Sequence, residues 1–375
     1  MKHPSTGFVA ALSVFTFALA LSSAIATNES RAEALGWNAK AAASYLDGRA
    51  EWWAAWPSAK RDHGTFCISC HTTLPYALAR PALRRVLGEP EPAATETTIL
   101  GNLLVRARMW REVEPFYPDQ TRGVPKTSES RAIESVMNAL VLARRDAELG
   151  HLSDDGKTAL ANMWTLQMKV GPQSGAWTWL NFGFEPWESP NSPYFGASMA
   201  ALAVGSAPDR YASAPDIQDR LGQLRGYFQK QFEHESLHNR LVALWASSGV
   251  PDLLTAEQRS AAIDEAFALQ QSDGGWISSS LGPFTHVDNT PNDTGTDGYA
   301  TALAVLALQS GGIGGTEPRL AKGLEWLRRN QDRTTGRWVA TSLNKRRDPE
   351  SDPGKFMNDA ATAYAVLALT TAPRK

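Results

Sequence analysis

The chain has only two cysteines in its 375 residues, and they stand close together in Cys67-Ile-Ser-Cys70-His71. Two thiols at this spacing, followed at once by an imidazole, are the pattern at which two thioethers anchor a c-type haem. The adjacent histidine then ligates the iron from one face. The same residues admit two other outcomes. Cys67 and Cys70 could close a disulfide in an oxidising compartment. Alternatively, Cys67, Cys70 and His71 with the nearby His63 form a compact set of nitrogen and sulfur ligands of the kind zinc takes. In either metal-bearing outcome His71 is a ligand.

A second constellation follows much later, in Thr285-His-Val-Asp-Asn-Thr-Pro-Asn-Asp-Thr-Gly-Thr-Asp297. His286, Asp288, Asp293 and Asp297 gather there ahead of an apolar run. Asp293 and Asp297 are candidates for a general acid or a metal-binding carboxylate, with His286 as partner. A carboxylate just before a helix also serves as an N-cap, and Asp297 and Asp359 both have that placing. Glu185 and Glu188, interleaved with Phe182, Phe184 and Trp187, are candidates to line a cavity mouth, and Trp52, Trp53 and Trp56 to wall an apolar pocket beside the cysteines. An opposing haem ligand is not singled out: Met109, Met137, Met163, Met168 and Met199 all compete with the histidines. The basic runs at Arg144-Arg145 and Lys345-Arg-Arg347 read as solvated ends of helices or loops.

The elements that must position these groups recur along the chain. Segments of small apolar residues can be anchored on Leu78, Leu140, Leu202, Leu244, Leu306 and Leu367, at spacings of 62, 62, 42, 62 and 61 residues. They are six copies of one unit. Longer segments with a polar face alternate with them, at 39–53, 96–112, 157–168, 218–231, 258–271 and 318–331. A helix apolar on all sides must be buried, and an amphipathic one covers it. The expected class is all-α, six inner helices ringed by six outer ones. No sustained alternation of period two argues for a sheet. The segments 178–194, 277–297 and 339–358, with the segment containing residues 67–71, are then expected on one rim, where connections of this length carry function.

Three outer segments end alike. Gln167 leads to Gly175-Ala-Trp177, Gln271 to Gly274-Gly-Trp276, and Gln331 to Gly336-Arg-Trp338. The glutamine can bond free helix-end carbonyls, the glycine permits a sharp turn and the indole packs over the joint, so these are read as scaffold clamps. Lys322-Gly-Leu-Glu-Trp-Leu-Arg-Arg-Asn-Gln331 followed by Gly336-Arg-Trp338 resembles the QW repeat of the squalene cyclase and prenyltransferase superfamily. Phe267-Ala-Leu-Gln-Gln271 with Gly274-Gly-Trp276 is similar. The resemblance implies an (α/α)6 toroid with its cavity near the N-terminal ends of the inner helices. It does not carry over the chemistry. The Asp-x-Asp-Asp motif of the triterpene cyclases is absent, and the C-terminal half has no cysteine for the zinc of the protein prenyltransferases. The C-x-x-C-H sequence resembles that of the c-type cytochromes, which implies attachment outside the cytoplasm, but no small cytochrome domain surrounds it.

Charge and composition bound the rest. With 37 Lys+Arg against 39 Asp+Glu, mixed along the chain, there is no basic field for nucleic acid. The apolar stretch 8–22, preceded by Lys2 and followed by Ala24-Ile-Ala26, reads as a secretory signal over residues 1–26. Residues 27–375 are then a single toroid domain with the cysteine motif in its first repeat, periplasmic or secreted, with no membrane span. The expected function is redox: one haem c serving electron transfer to a partner protein or oxidation of a small apolar molecule. The sequence leaves open whether that makes it an enzyme. Rival readings are a haem-free enzyme acting on a terpenoid or polysaccharide through Asp293, Asp297 and His286, and a non-catalytic binding scaffold.

Overall fold

In the computed structural model, residues 36–117 and 123–371 are described. The expected signal segment, 1–26, lies outside them. Among the described residues twelve α-helices dominate: α1 (Ala39–Ala55), α2 (Thr73–Leu87), α3 (Ala94–Arg108), α4 (Val124–Leu149), α5 (Asp154–Thr165), α6 (Ser192–Ser206), α7 (Gln218–Gln231), α8 (Leu237–Ala246), α9 (Ala256–Ala268), α10 (Gly298–Ser310), α11 (Pro318–Arg329) and α12 (Asp352–Thr370). The described residues pair as isolated bridges only, without a strand. No described helix is long and apolar enough to cross a membrane.

The helices divide into two sets by burial. In α6 every residue from Ser192 to Val204 is buried, in α10 from Gly298 to Leu308, and in α12 from Met357 to Ala368. These are helices buried on all sides, as their small, mostly apolar residues dictate. By contrast, α11 buries only Leu320, Gly323, Trp326 and Leu327, and α7 only Leu221, Leu224, Tyr227 and Phe228, one stripe each. The even-numbered helices pack in a circuit: α2 on α4, α4 on α6, α6 on α8, α8 on α10, α10 on α12, and α12 back on α2. The six repeat leucines are all buried.

The joints between repeats are built as clamps. The indole N–H of Trp177 donates to the Met163 carbonyl at 2.7 Å, that of Trp276 to Ala266 at 2.6 Å, and that of Trp338 to Leu327 at 2.7 Å, each satisfying a carbonyl near the end of an odd-numbered helix. The glutamine reaches the other way. Gln331 donates to the carbonyls of Gly336 and Asn38, both at 3.0 Å, and accepts from the Asn38 N–H at 2.6 Å, tying the last repeat to the start of α1. Gly336 is needed there: its φ is +83°, and a Cβ would enter the Ala41 backbone. In the fifth repeat the clamp is Gln270, bonded to the Gly274 and Arg319 carbonyls. The side chain of Gln271, which the sequence suggested, bonds the nearby Leu269 carbonyl instead.

Two helix starts differ from the sequence expectation. α12 begins at Asp352, capped by Ser351, whose hydroxyl accepts from the Gly354 N–H at 3.1 Å. Ser-Asp-Pro is a complete start signal, and it outranks Asp359, which lies inside the helix and caps nothing. Likewise α4 begins at Val124, well before its apolar core at 135–143, so its first turns reach the rim.

Candidate functional site

Between α1 and α2 the chain is held by its own backbone. Cys67 N–H donates to the Ala59 carbonyl at 2.9 Å, and the Trp53 indole donates to the Cys67 carbonyl at 2.7 Å. The Asn102 side chain from α3 bonds both backbone groups of Phe66. Ser69 then opens α2: its hydroxyl accepts from the N–H groups of Thr72 and Thr73, and its own N–H donates to the Thr73 hydroxyl. The cysteine motif is thus a fixed lip at the start of an inner helix.

Cys67, Cys70 and His71 all face one cavity, with about 1170 Å³ of empty space between its walls, part of it continuous with solvent. Its apolar walls include Trp53, Trp56, Phe116, Trp187, Phe356 and Met357, and its polar groups include Glu134, Glu188 and Arg347. These come from the end of α1 and the residue after it, from the segments before α4, α6 and α12, from the first half of α4 and from the beginning of α12. Phe184, Glu185, Trp187 and Glu188 therefore do line the mouth, and Trp53 and Trp56 wall the pocket. Trp52 stacks behind Trp56 with centroids 5.7 Å apart. The loops clasp one another: Asn344 exchanges hydrogen bonds with the Glu185 backbone at 2.5 and 2.8 Å.

Both cysteines are unbridged and buried. Burial pushes both thiols up, Cys70 further through Glu188 and Cys67. His71 stacks on Phe356 at 3.7 Å, with its edge against Trp53 at 5.1 Å. Burial, reinforced by Arg49 and Arg347, holds its imidazole down to about 3, so the ring is neutral near pH 7. Glu188 is pushed up by burial to about 7, against the pull of Lys126. Arg347 lines the cavity without an ion-pair or hydrogen-bond partner among the described residues. Its basic run is therefore not merely solvated. Glu134, by contrast, is paired with Arg106.

The other expected residues fall elsewhere. His63 is on the surface beside Asp62, Nδ1 to Oδ2 3.1 Å, and no metal-holding group of three or more His, Cys, Asp and Glu side chains occurs among the described residues. Asp297 is the N-cap of α10: its carboxylate accepts from the N–H groups of Tyr299, Ala300 and Ser278 and from the Ser278 hydroxyl. Asp293 is exposed, with its backbone carbonyl taking the Ser279 hydroxyl. His286 bonds the Thr290 hydroxyl at 2.7 Å and the Ser342 carbonyl at 2.9 Å. None of the three lines the cavity. His286 braces from behind the loop whose Ser342 and Asn344 do. Of the named methionines, none lines it either, whereas Met357 does.

Sequence reasoning did not find Glu134 on α4, or Arg347, Phe356 and Met357 in and before α12, as cavity residues; two distant repeats supply them and no motif links them. No protein-family model matches the chain, and no curated protein is significantly similar to it.

Proposed function

We propose that this chain is an exported (α/α)6 toroid of the QW-repeat type that carries one c-type haem in the cavity at the beginnings of its inner helices. The closed circuit of helix packing and the repeated Trp and Gln clamps support the toroid. One observation carries the haem reading: the only two thiols and the adjacent neutral imidazole line the same large, mainly apolar cavity.

The residues fit the group. Cys67 and Cys70 would hold it through thioethers, and His71 would ligate its iron. Arg347, without a partner among the described residues, is suited to a carboxylate of the occupant. A flat conjugated macrocycle matches walls of Trp53, Trp56, Trp187 and Phe356. When bound, haem supplies one-electron chemistry that the side chains lack. The chain's own contribution is separate. Its aromatic walls exclude water and its fixed lip sets the orientation. Glu188, half protonated near neutral pH, can take or give a proton beside the occupant. The task is electron transfer to a partner protein or oxidation of a small apolar molecule admitted at the open side of the cavity.

The test is the absorption spectrum of protein exported from cells with haem-attachment machinery. The expected result is a red protein with one pyridine haemochrome equivalent, lost from the Cys67→Ser/Cys70→Ser variant. A colourless protein with zinc bound, or with Cys67 and Cys70 disulfide-linked, would replace this reading.

A further inference from the structure

Thr72 occupies the N-cap of α2, yet its side chain makes no capping bond. A threonine there normally accepts from a helix N–H. Its hydroxyl instead lies between two side chains. It donates to Asp359 Oδ2 at 2.7 Å, and His71 Nδ1 stands 2.9 Å from the same oxygen. Asp359 is wholly buried inside α12. Its Oδ1 accepts from the Tyr45 hydroxyl at 2.7 Å and from Arg49 Nε at 2.9 Å, so the carboxylate is ion-paired and can only accept.

Proton counting settles the imidazole. A hydroxyl has one proton, and Thr72 gives it to Asp359. Its remaining lone pairs can only receive, so His71 must carry its ring proton on Nδ1. Nε2 is left with a bare lone pair and no hydrogen-bond partner among the described residues. The ring is held in place by Phe356 and Trp53.

We propose that Thr72 and Asp359 are positioning residues that lock His71 in the Nδ1–H tautomer and present Nε2 to the cavity as a metal ligand. The identity of that metal, haem iron, rests on the reading above. The tautomer does not. A carboxylate behind a ligating histidine, here acting through a hydroxyl, also raises the basicity of the ligating nitrogen. Because Arg49 and Tyr45 belong to α1 and Asp359 to α12, 310 and 314 residues away, the ligand is aimed only when the two ends of the chain pack together.

The experiment is long-range proton–nitrogen correlation spectroscopy on the ring-labelled chain without haem, with the His71 signals identified by their loss in His71→Gln. The parent is expected to show Nδ1 protonated and Nε2 as an acceptor. Asp359→Asn risks the fold, so Thr72→Val carries the test. It keeps the Asp359–Arg49 pair and should shift the tautomer ratio toward Nε2–H by about tenfold, the equivalent of one hydrogen bond. Thr72→Ser should restore the parent ratio. An Nε2–H parent, or an unchanged ratio in Thr72→Val, would overturn the proposal. A colourless protein would remove the haem reading and leave this result standing.

Discussion

At the residue scale, the cavity holds ionisable groups whose burial works in opposite directions. Glu188 titrates near 7 in the folded chain against 4.5 for a free glutamate. Between those values the folded state keeps a proton that the unfolded chain has released, so stability falls as pH rises through that window. Glu188→Gln should flatten the curve of stability against pH there by about one proton. Parallel curves for variant and parent would show Glu188 ionised in the cavity. His71 has the reverse sign. Its folded value near 3 lies below the free value of 6.5. The unfolded chain takes up the proton first, so this histidine costs stability as pH falls below 6.5. The chemistry of these positions was only partly legible. Cys67, Cys70 and His71 are contiguous and announce themselves, and Glu185 and Glu188 sit among aromatics. Arg347 was masked by two basic neighbours, which made a surface run the natural reading.

At the element scale, three of the repeats are closed by a tryptophan on one helix end and a glutamine on the next helix start. Trp338→Phe keeps much of the ring but leaves the buried Leu327 carbonyl unpaired, and should cost about 1–3 kcal/mol. Urea unfolding should show a lower midpoint at unchanged slope. Gly336→Ala should cost at least as much, about 1–3 kcal/mol from the left-handed backbone alone, with the collision against Ala41 added. A neutral effect of Gly336→Ala would mean that the joint with α1 is looser than described. The alternation of apolar and amphipathic segments was readable because period and burial follow directly from composition. Helix starts were less readable. Asp359 looked like a cap from its place before an apolar run, but Ser351 with Pro353 supplies the stronger start, and the helix extends past the predicted boundary. In Gln270-Gln271 two identical residues compete for one role, and only the turn geometry decides which reaches Arg319.

At the scale of the whole molecule, the first and last repeats are joined by polar side chains: Arg49 to Asp352 and Asp359, and Gln331 to Asn38. Trp37 lies against Trp338 with ring centroids 5.8 Å apart. Arg49→Met strands a buried carboxylate and should cost about 3–5 kcal/mol in denaturant melts. Adding Asp359→Leu should recover part of that loss, because the remaining partners are hydroxyls; no recovery would show that the pair is not the main tie between the ends. This closure was not legible locally. Repeat spacing predicts how many units there are, but the partners that join unit six to unit one are some three hundred residues apart. The cavity is assembled by the same closure, so the attachment chemistry at its lip tests the account most directly. Trypsin should release the peptide Asp62–Arg84, since the Arg80–Pro81 bond resists cleavage. Its mass is expected to be raised by one haem, with the addition confined to Cys67 and Cys70 in fragmentation. The same peptide recovered from attachment-competent cells with two unmodified or mutually bridged cysteines would contradict the account.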